Sequence, residues 1–279
     1  MDRSDKYRLI VITNGNLFAC RILRKLLTQR RELISGLVLV TGDYRGRNGL
    51  QALIEWSKVT SPAYVLYKVF TYLLSAVITI IHPRSLVTVD RLARKLEIPA
   101  ITTVSIKSPE IQEWIVSQHP DLLVSVSCPQ MIGKQLLSQA RLGGINIHSS
   151  LLPAYAGLAP YFWVLSEGEV QSGITVHYMT LNFDQGNVLT QRRVVIDQGE
   201  SAFHLFTRLA DEGSEALYEA VELTLSGEPG MMQDLSNYTY FSNPTQNAYL
   251  NLRRRGHSLI KPNDVKNFIC WSAGKSDEI

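Results

Sequence analysis

The chain contains 279 residues, of which 45% are hydrophobic and 19% are charged. These values are typical of soluble globular proteins and exclude a disordered, collagen-like or low-complexity chain. The 28 lysine and arginine residues against 25 aspartate and glutamate residues give a net charge of +3, which is too small to make nucleic acid the expected partner. The length allows one large domain, or one domain with an appendage.

The three cysteines, Cys20, Cys128 and Cys270, are far apart, odd in number and without a CxxC pair. We therefore expect neither a disulfide framework nor a cysteine zinc site, and the natural compartment is a reducing cytoplasm. The histidines have no partners at zinc spacing, so the sequence predicts no metal.

The N-terminal pattern predicts a strand, a turn and a helix. An apolar strand over 7–13 leads into Asn14-Gly15-Asn16, and residues 17–27 follow a helical period. A second apolar run, over 34–40, predicts the next strand. The basic residues near this helix form either a solvated face or a contact for a phosphate-bearing ligand. They are Arg21, Arg24, Lys25, Arg30 and Arg31.

Residues 62–81 form an apolar stretch about as long as a membrane span, with Lys68 inside it and aromatic and polar residues spread through it. Three interpretations remain open: a helix packed on the domain or on a second subunit, a helix lying on a membrane surface, and a true span. The span is disfavoured because both flanks of the stretch belong to one predicted sheet.

Strands and helices alternate through the middle of the chain. We expect helices over 89–96, 109–119 and 133–139, and strands over 100–104, 121–127 and 144–148. This alternation predicts an α/β fold with a doubly wound, mostly parallel, Rossmann-like sheet. Ligands of such folds bind beyond the carboxyl ends of the strands.

The pattern changes near residue 196. Residues 176–179 and 188–196 alternate like antiparallel strands, and 202–225 form a long amphipathic helix. The last fifty residues show no clear period beyond a short pairing around 238–241. We therefore divide the chain into a main domain, 1–195, with an apolar helical insert at 62–81, and a C-terminal helix and extension, 196–279.

Three polar side chains suggest chemistry at the strand ends. Asn146 and His148 alternate on one face of the strand over 144–148, and Asp184 lies in a loop between two strands. In acyl transfer to an amine, an imidazolium and an amide N–H can stabilise the oxyanion, and a carboxylate can keep the imidazole charged and move protons. Taken singly, each residue also fits a structural role.

The flanks of these residues strengthen the chemical interpretation. Residues 146–153 (NIHSSLLP), 172–178 (SGITVHY) and 183–189 (FDQGNVL) resemble the folate-dependent formyltransferases, which include methionyl-tRNA, glycinamide ribonucleotide and sugar N-formyltransferases. The resemblance is dense over about 120–196 and absent over about 59–84. It implies a Rossmann-like formyltransferase domain that uses N10-formyltetrahydrofolate as co-substrate, with Asn146, His148 and Asp184 as catalytic residues.

The resemblance also implies binding residues. The folate would pack against backbone after the strand over 121–127 and against the loop over 180–186. The amine would enter over 149–153 and 157–160. The end of the first strand would either hold a phosphate or a sugar or form a simple turn. The implied folate-binding residues are Gln130, Met131, Ile132, Thr180, Phe183 and Gly186, and the implied acceptor-binding residues are Asn14, Ser149, Ser150, Leu151, Pro153 and Gly157.

The expected function is transfer of a formyl group to a primary amine on a small or carrier-bound acceptor, such as an amino sugar nucleotide or an amino acid derivative. A tRNA acceptor is less favoured for two reasons. Ala156 stands where tRNA-formylating members of the family often carry Arg. Those members also append a β-barrel, whereas only about fifty residues follow Gly230. The sequence also leaves open formyltetrahydrofolate hydrolysis, formylation of glycinamide ribonucleotide, and a non-enzymatic folate- or membrane-binding homologue. We expect a cytoplasmic protein, with peripheral membrane contact through 62–81 and self-association left open.

Overall fold

A mixed sheet of seven strands organises the chain in a computed structural model that describes residues 7–43, 45–47, 49–81 and 86–274. The central strand, β1 (Leu9–Thr13), has the sequence LIVIT and is buried throughout. Because side chains alternate across a strand, Leu9 and Val11 enter one hydrophobic core and Ile10 and Ile12 enter a second core on the other face. A run of apolar residues without polar alternation is typical of a strand covered on both faces.

The sheet order is β3-β2-β1-β4-β5-β7-β8. The first five strands of this order are parallel to one another. β7 pairs antiparallel with β5, and β8 pairs antiparallel with β7. The predicted doubly wound, mostly parallel sheet is therefore confirmed. Beside it, β6 (Ala156–Gly157) and β9 (Tyr240–Phe241) form a separate two-stranded sheet. The remaining strands are β2 (Ile34–Val40), β3 (Ala100–Thr103), β4 (Leu122–Val126), β5 (Gly144–His148), β7 (Gln171–Tyr178) and β8 (Val188–Val195).

Helices cover both faces of the sheet. They are α1 (Leu17–Gln29), α2 (Gly49–Ser57), α3 (Pro62–Ile81), α4 (Val89–Lys95), α5 (Pro109–Ser117), α6 (Lys134–Leu137), α7 (Pro160–Glu167), α8 (Ala202–Ser226), α9 (Gln246–Arg254) and α10 (Pro262–Gly274). The larger core lies between the sheet and a layer that includes α1, α3, α4, α7 and α8, whereas α5 and α6 cover the smaller core.

The basic residues of α1 have structural partners on α8. Arg21 pairs with Asp211 and Lys25 pairs with Glu215. Just beyond the helix, Nε of Arg30 lies 2.7 Å from Oε1 of Glu222. These ion pairs join two helices that pack side by side on the sheet. They argue against the phosphate-contact interpretation for these three basic residues, which the sequence had left open.

The apolar stretch forms α3 with the bounds that the sequence predicts. Its buried residues, Tyr64, Tyr67, Thr71, Leu74 and Ile78, recur at helical spacing, and four of them belong to the larger core. The helix is long and apolar enough to cross a membrane, with a mean hydropathy of 1.8. Its flanks nevertheless lead to β2 and β3, which are hydrogen-bonded neighbours in one sheet. The exposed apolar side chains of α3 are Leu66, Phe70, Tyr72, Leu73, Val77, Ile80 and Ile81.

The last fifty residues, which show no clear period in the sequence beyond the short pairing around 238–241, contain α9 and α10. Only Ala248 and Leu252 are buried in α9, so its apolar pattern is too sparse to be recognised in the sequence. Both residues belong to the larger core, as does Phe268 of α10, which packs edge-on against Phe203 of α8. The C-terminal segment therefore continues the core of the main domain. The sequence also missed α2.

Replacement of Phe268 by alanine is expected to lower the free energy of unfolding of the whole chain by about 3–5 kcal/mol, because a buried ring leaves a cavity. Urea unfolding followed by circular dichroism measures this change. The control Lys266→Ala lies on the exposed side of the same helix and is expected to change stability by no more than about 0.5 kcal/mol. A separate early transition in Phe268→Ala, with the main transition unchanged, would show that α10 unfolds independently.

Candidate active site

A cavity of about 480 Å³ lies at the carboxyl ends of the parallel strands. Asn14 follows β1, residues 127–132 follow β4, and Asn146 and His148 belong to the end of β5. The chain runs from β1 outward to β3 and then returns to β4 on the other side of β1, so the cavity opens at the point where the strand order reverses. This is the usual ligand position in an open α/β sheet.

Asn146 is positioned by a cross-strand neighbour. The antiparallel register of β5 and β7 places Asn146 directly opposite His177, with Nδ2 of Asn146 at 3.3 Å from Nε2 of His177. Nδ1 of His177 lies 2.9 Å from the carbonyl oxygen of Tyr178 and therefore carries the hydrogen of a neutral ring. Nε2 then accepts one amide hydrogen of Asn146. The second amide hydrogen remains available to a ligand.

His148 is held by a hydrogen bond at one ring nitrogen and faces Asp184 with the other. Nε2 donates to the carbonyl oxygen of Tyr155 at 2.8 Å, which fixes the tautomer of the neutral ring. Nδ1 lies 3.7 Å from Oδ2 of Asp184, beyond hydrogen-bond distance. Because Nε2 is occupied, Nδ1 is the nitrogen that can gain a proton and present it to a reacting group.

Asp184 lies between the two imidazoles. Its Oδ2 accepts from the backbone N–H of Gly157 at 2.9 Å, and its Oδ1 lies 3.5 Å from Nε2 of His177. Burial raises the pKa of this carboxyl group, but His148, His177 and the Gly157 N–H outweigh burial and hold the pKa well below its usual range. The carboxylate is therefore ionised across the physiological pH range.

Two segments fix the loop that carries Asp184. Asp184 itself has a positive φ of 55°, and Nε2 of Gln233 donates to its carbonyl oxygen at 2.9 Å and to that of Gly186 at 2.7 Å. Gly157 has a φ of 98°, and a Cβ atom there would lie 2.2 Å from the carbonyl oxygen of Phe241. Only glycine allows β6 to approach β9 this closely while its N–H points at the carboxylate.

The arrangement brings an amide N–H, an imidazole and a carboxylate to one wall of the cavity. An amide hydrogen and a protonated imidazole can stabilise negative charge that develops on an oxygen atom, since both donors are fixed before a ligand binds. The carboxylate favours the charged imidazole and can accept a proton directly or through water. These groups suit transfer of an acyl group between two nitrogen atoms, which needs no nucleophile from the protein.

Most of the residues that the sequence singles out line this cavity, and four do not. Ser150 is fully buried and its Oγ donates to the carbonyl oxygen of Ala154. Gly186 packs against the carbonyl oxygen of Tyr178. Leu151 and Pro153 also lie outside the lining. The predicted residues that line the cavity are Asn14, Gln130, Met131, Ile132, Asn146, His148, Ser149, Gly157, Thr180, Phe183 and Asp184.

The side chain of Gln130 ties three strand ends together. Its Nε2 donates to the carbonyl oxygens of Asp43 and Val104, at 2.9 and 2.7 Å, and its Oε1 accepts from the backbone N–H of Ile106 at 2.9 Å. Asp43, Val104 and Gln130 follow β2, β3 and β4, so this side chain holds the edge of the sheet that borders the cavity. Only the backbone of Gln130 is left to contact a ligand.

Several lining residues escape the sequence analysis. His177 is the most important: it lies within the motif over 172–178, but its contact with Asn146 depends on the β5–β7 register. Trp56, Tyr64 and Lys68 come from α2 and α3, where the resemblance to the family is absent. Tyr240 comes from β9, and its ring centroid lies 6.0 Å from that of Phe183. Asn243 and Pro244 follow β9 and also line the cavity.

Neither metal ligands nor paired cysteines are found in the described part of the chain. No group of three or more His, Cys, Asp or Glu side chains among the described residues could hold a metal ion. Cys20, Cys128 and Cys270 are free thiols. Burial raises the pKa of the Cys20 thiol to about 12 and that of the Cys128 thiol to about 11, so neither is a reactive thiolate at neutral pH.

Comparison with known sequences identifies a family. Residues 76–221, slightly more than half of the chain, match the family model described as formyl transferase. The methionyl-tRNA formyltransferase of Geotalea uraniireducens (strain Rf4) is 38% identical over 137 residues, which are 49% of this chain and 44% of that protein. The chain spans about half the length of the curated relatives that it matches.

Solved structures share the fold at low sequence identity. An N-formyltransferase from Helicobacter canadensis, in complex with folinic acid and dTDP-3-aminofucose, superposes with a TM-score of 0.58 at 16% identity and covers 90% of this chain and 80% of its own. Glycinamide ribonucleotide transformylase 1 from Symbiobacterium toebii gives a TM-score of 0.56 at 20% identity, with 79% and 88% of the two chains covered.

The lowered pKa of Asp184 predicts a stability difference that depends on pH. The ionised carboxylate stabilises the fold above about pH 4, the pKa of an unfolded aspartate, and this stabilisation is lost as the pH falls toward the folded-state pKa. Asp184→Asn lacks the contribution, so the excess stability of the wild type over the variant is expected to hold down to about pH 4 and to shrink as the pH is lowered further. Urea unfolding at a series of pH values measures it, and a constant difference would refute this account of the carboxylate.

Proposed function

Because the chain belongs to the formyl transferase family, we propose that it transfers a formyl group from N10-formyltetrahydrofolate to a primary amine of a small or carrier-bound acceptor. The observation that carries the proposal is the convergence of Asn146, His148 and Asp184 on one wall of one cavity. An amino sugar nucleotide and an amino acid derivative are the acceptor types that we favour.

Asn146 and His148 are assigned to the formyl oxygen. N10-formyltetrahydrofolate supplies the formyl carbon and the N10 nitrogen from which the group departs. As the amine nitrogen forms its bond to this carbon, negative charge grows on the formyl oxygen. The free amide hydrogen of Asn146 and a proton on Nδ1 of His148 stabilise this charge, and His177 holds the Asn146 amide in the required orientation.

Asp184 is assigned to the proton of the amine. The attacking nitrogen becomes positively charged when its bond to carbon forms, and it must lose a proton before the carbon–N10 bond breaks. The Asp184 carboxylate is ionised and lies beside Nδ1 of His148, so it can accept this proton directly or through water. The proton then passes to N10, and the products are a formamide and tetrahydrofolate.

The cavity has a wall that suits the flat rings of a folate. Met131, Ile132 and Phe183 give it an apolar edge, with Gln130 and Thr180 beside them. Met131 is 39% exposed and Phe183 is 52% exposed, so both offer apolar surface that a ligand would cover. Gly186 would contribute only by shaping the loop, because it lies outside the lining.

The amine is assigned to the part of the cavity that Asn14, Ser149 and Gly157 line. The N-terminus of α1 follows Asn14. Ser150, Leu151 and Pro153 support this wall from behind. A tRNA acceptor is less well supported, because tRNA binding draws on several phosphate contacts and the described lining includes a single lysine and no arginine.

The exposed apolar side of α3 is where the membrane contact or self-association that the sequence leaves open would take place. Leu66, Tyr72 and Ile80 are 69%, 74% and 77% exposed on this side. Sedimentation of the protein with phospholipid vesicles would report membrane contact, and light scattering of the free protein would report self-association. A cytoplasmic location remains the expectation from the free cysteines.

Pure protein incubated with N10-formyltetrahydrofolate and a panel of primary amines is expected to release tetrahydrofolate only when a suitable amine is present. Absorbance measures tetrahydrofolate, and mass spectrometry identifies the formamide. Release of formate without an amine would instead support hydrolysis. Folate binding without release of tetrahydrofolate by any amine, including methionyl-tRNA and glycinamide ribonucleotide, would contradict the proposal and favour a non-enzymatic homologue.

His148→Ala is expected to lower kcat by about 10²- to 10³-fold, because it removes one preorganised donor to the oxyanion. Asp184→Asn is expected to lower kcat by orders of magnitude, since the amide keeps the shape of the carboxylate but accepts no proton. For the same reason its loss of unfolding free energy at neutral pH is expected to be far smaller than its loss of transition-state stabilisation. The control is His119→Asn, an exposed histidine with a φ of 49° that asparagine tolerates. Equal kcat in all three variants would refute the assigned roles.

A further inference from the structure

Lys68 reaches the candidate active site from the part of α3 that precedes residue 76, where the match to the family model begins. It lines the cavity together with Tyr64, which lies one helical turn earlier and therefore on the same side of the helix. The Tyr64 hydroxyl group is 2.6 Å from that of Tyr161 on α7. The apolar stretch is thus a wall of the cavity as well as a part of the core.

Lys68 is also the unmatched charge of the cavity. Of the described residues that line it, Lys68 is the only lysine or arginine, and Asp184 is the only carboxylate. Asp184 already accepts a hydrogen bond from the Gly157 N–H and lies beside the imidazoles of His148 and His177. Nζ of Lys68 makes no hydrogen bond or ion pair with any described residue, whereas Arg21 and Lys25 of α1 are paired with carboxylates.

Lys68 is half-buried as a residue, and its Nζ has no partner among the described residues, so its ammonium group is available to a ligand. An anionic ligand group would provide the missing partner, and a charge-assisted hydrogen bond of this kind is among the stronger ones in proteins. We propose that Lys68 binds a phosphate or carboxylate group of the acceptor, and that α3 thereby selects amines that carry a negative charge. The inference rests on the proposed formyl transfer and names its acceptor class.

The position of Lys68 favours the acceptor over the folate. Tyr161, which holds Tyr64, belongs to the first turn of α7, and α7 starts three residues after Gly157 on the acceptor side. Trp56 of α2 lines the same wall and donates from Nε1 to Oδ1 of Asn243 at 3.0 Å. The folate is assigned instead to residues after β4 and to the β7–β8 loop.

Asn14 and Asn16, which line the same cavity as Lys68, offer neutral donors to the acceptor. Oδ1 of Asn14 accepts from the backbone N–H of Asn16, and Oδ1 of Asn16 accepts from that of Ala19, so both amides turn their oxygens toward the backbone and keep Nδ2 hydrogens to donate. These donors can orient a phosphate or a carboxylate. A neutral amide does not distinguish an anionic group from a neutral one as an ammonium group does. Selection for negative charge is therefore assigned to Lys68.

Matched pairs of amines test the role of Lys68. Aminoethyl phosphate is compared with ethanolamine, glucosamine 6-phosphate with glucosamine, and glycine with glycinamide, so that a phosphate arm and a carboxylate arm are both covered. Tetrahydrofolate release gives kcat/KM for each amine in the wild type, Lys68→Met, Lys68→Arg and the control Lys58→Met. Lys58 is an exposed lysine just before α3 that pairs with Glu55 and does not line the cavity.

In the wild type, the anionic member of at least one pair is expected to have the higher kcat/KM. Lys68→Met is expected to lower the anionic-to-neutral ratio by about 10- to 100-fold, Lys68→Arg to restore most of it, and Lys58→Met to leave it unchanged. A wild-type ratio near one, or a ratio that survives in Lys68→Met, would overturn the proposal. So would a higher KM for N10-formyltetrahydrofolate with an unchanged ratio, because Lys68 would then bind the carboxylates of the folate.

Failure of the underlying function gives a different pattern. If no amine releases tetrahydrofolate with the wild type, formyl transfer fails first. Calorimetric titration with inorganic phosphate and with acetate then decides the role of Lys68 independently of turnover. Binding that weakens about 10-fold in Lys68→Met but not in Lys58→Met supports an anion site, and equal binding by both variants and the wild type refutes it. Thermal unfolding of each variant checks that the fold is retained.

Discussion

The Asp184 carboxylate is the point on which the geometry of the cavity depends, because three separate parts of the chain converge on it. His148 comes from β5, His177 from β7 and the Gly157 N–H from β6. A buried carboxylate is costly unless it is paired, so these partners have to be in place for the loop to close over the cavity. The same contacts that keep Asp184 ionised also fix His148, and through His177 they fix Asn146. Stability and chemistry are therefore coupled at this carboxylate.

The C-terminal segment is part of this arrangement. Gln233 fixes the backbone of the loop that carries Asp184, and β9 supports β6, which supplies the Gly157 N–H. The glycine at 157 is required by the close approach of Phe241 as much as by its own backbone conformation. A segment with a sparse apolar pattern thus positions residues that lie 47 to 84 positions earlier in the chain. Its helices join the core of the main domain, which gives that support a rigid base.

The apolar stretch between β2 and β3 joins fold and cavity in another way. One side of α3 packs into the larger core, the adjacent side carries Tyr64 and Lys68 into the cavity, and the remainder is exposed. Length and hydropathy alone made a membrane span conceivable. The parallel pairing of β2 with β3 argues against it, since the strands on either side of the helix lie side by side in one sheet. Trp56 and Asn243 connect this region to the C-terminal segment across the mouth of the cavity.

Local sequence determined most of the regular structure and pointed to three of the side chains at the candidate active site, Asn146, His148 and Asp184. Uninterrupted apolar runs fixed β1, β2 and β4, and the alternation of Asn146 and His148 fixed their common face, because both features depend only on near neighbours in the chain. The motif around Asp184 identified the family on the same basis. His177, Lys68, Gln233 and Tyr240 could not be found in this way, since each acquires its role from a partner distant in sequence. Only the tertiary structure, through the β5–β7 register, the path of α3 and the pairing of β6 with β9, decided which side chains face the cavity.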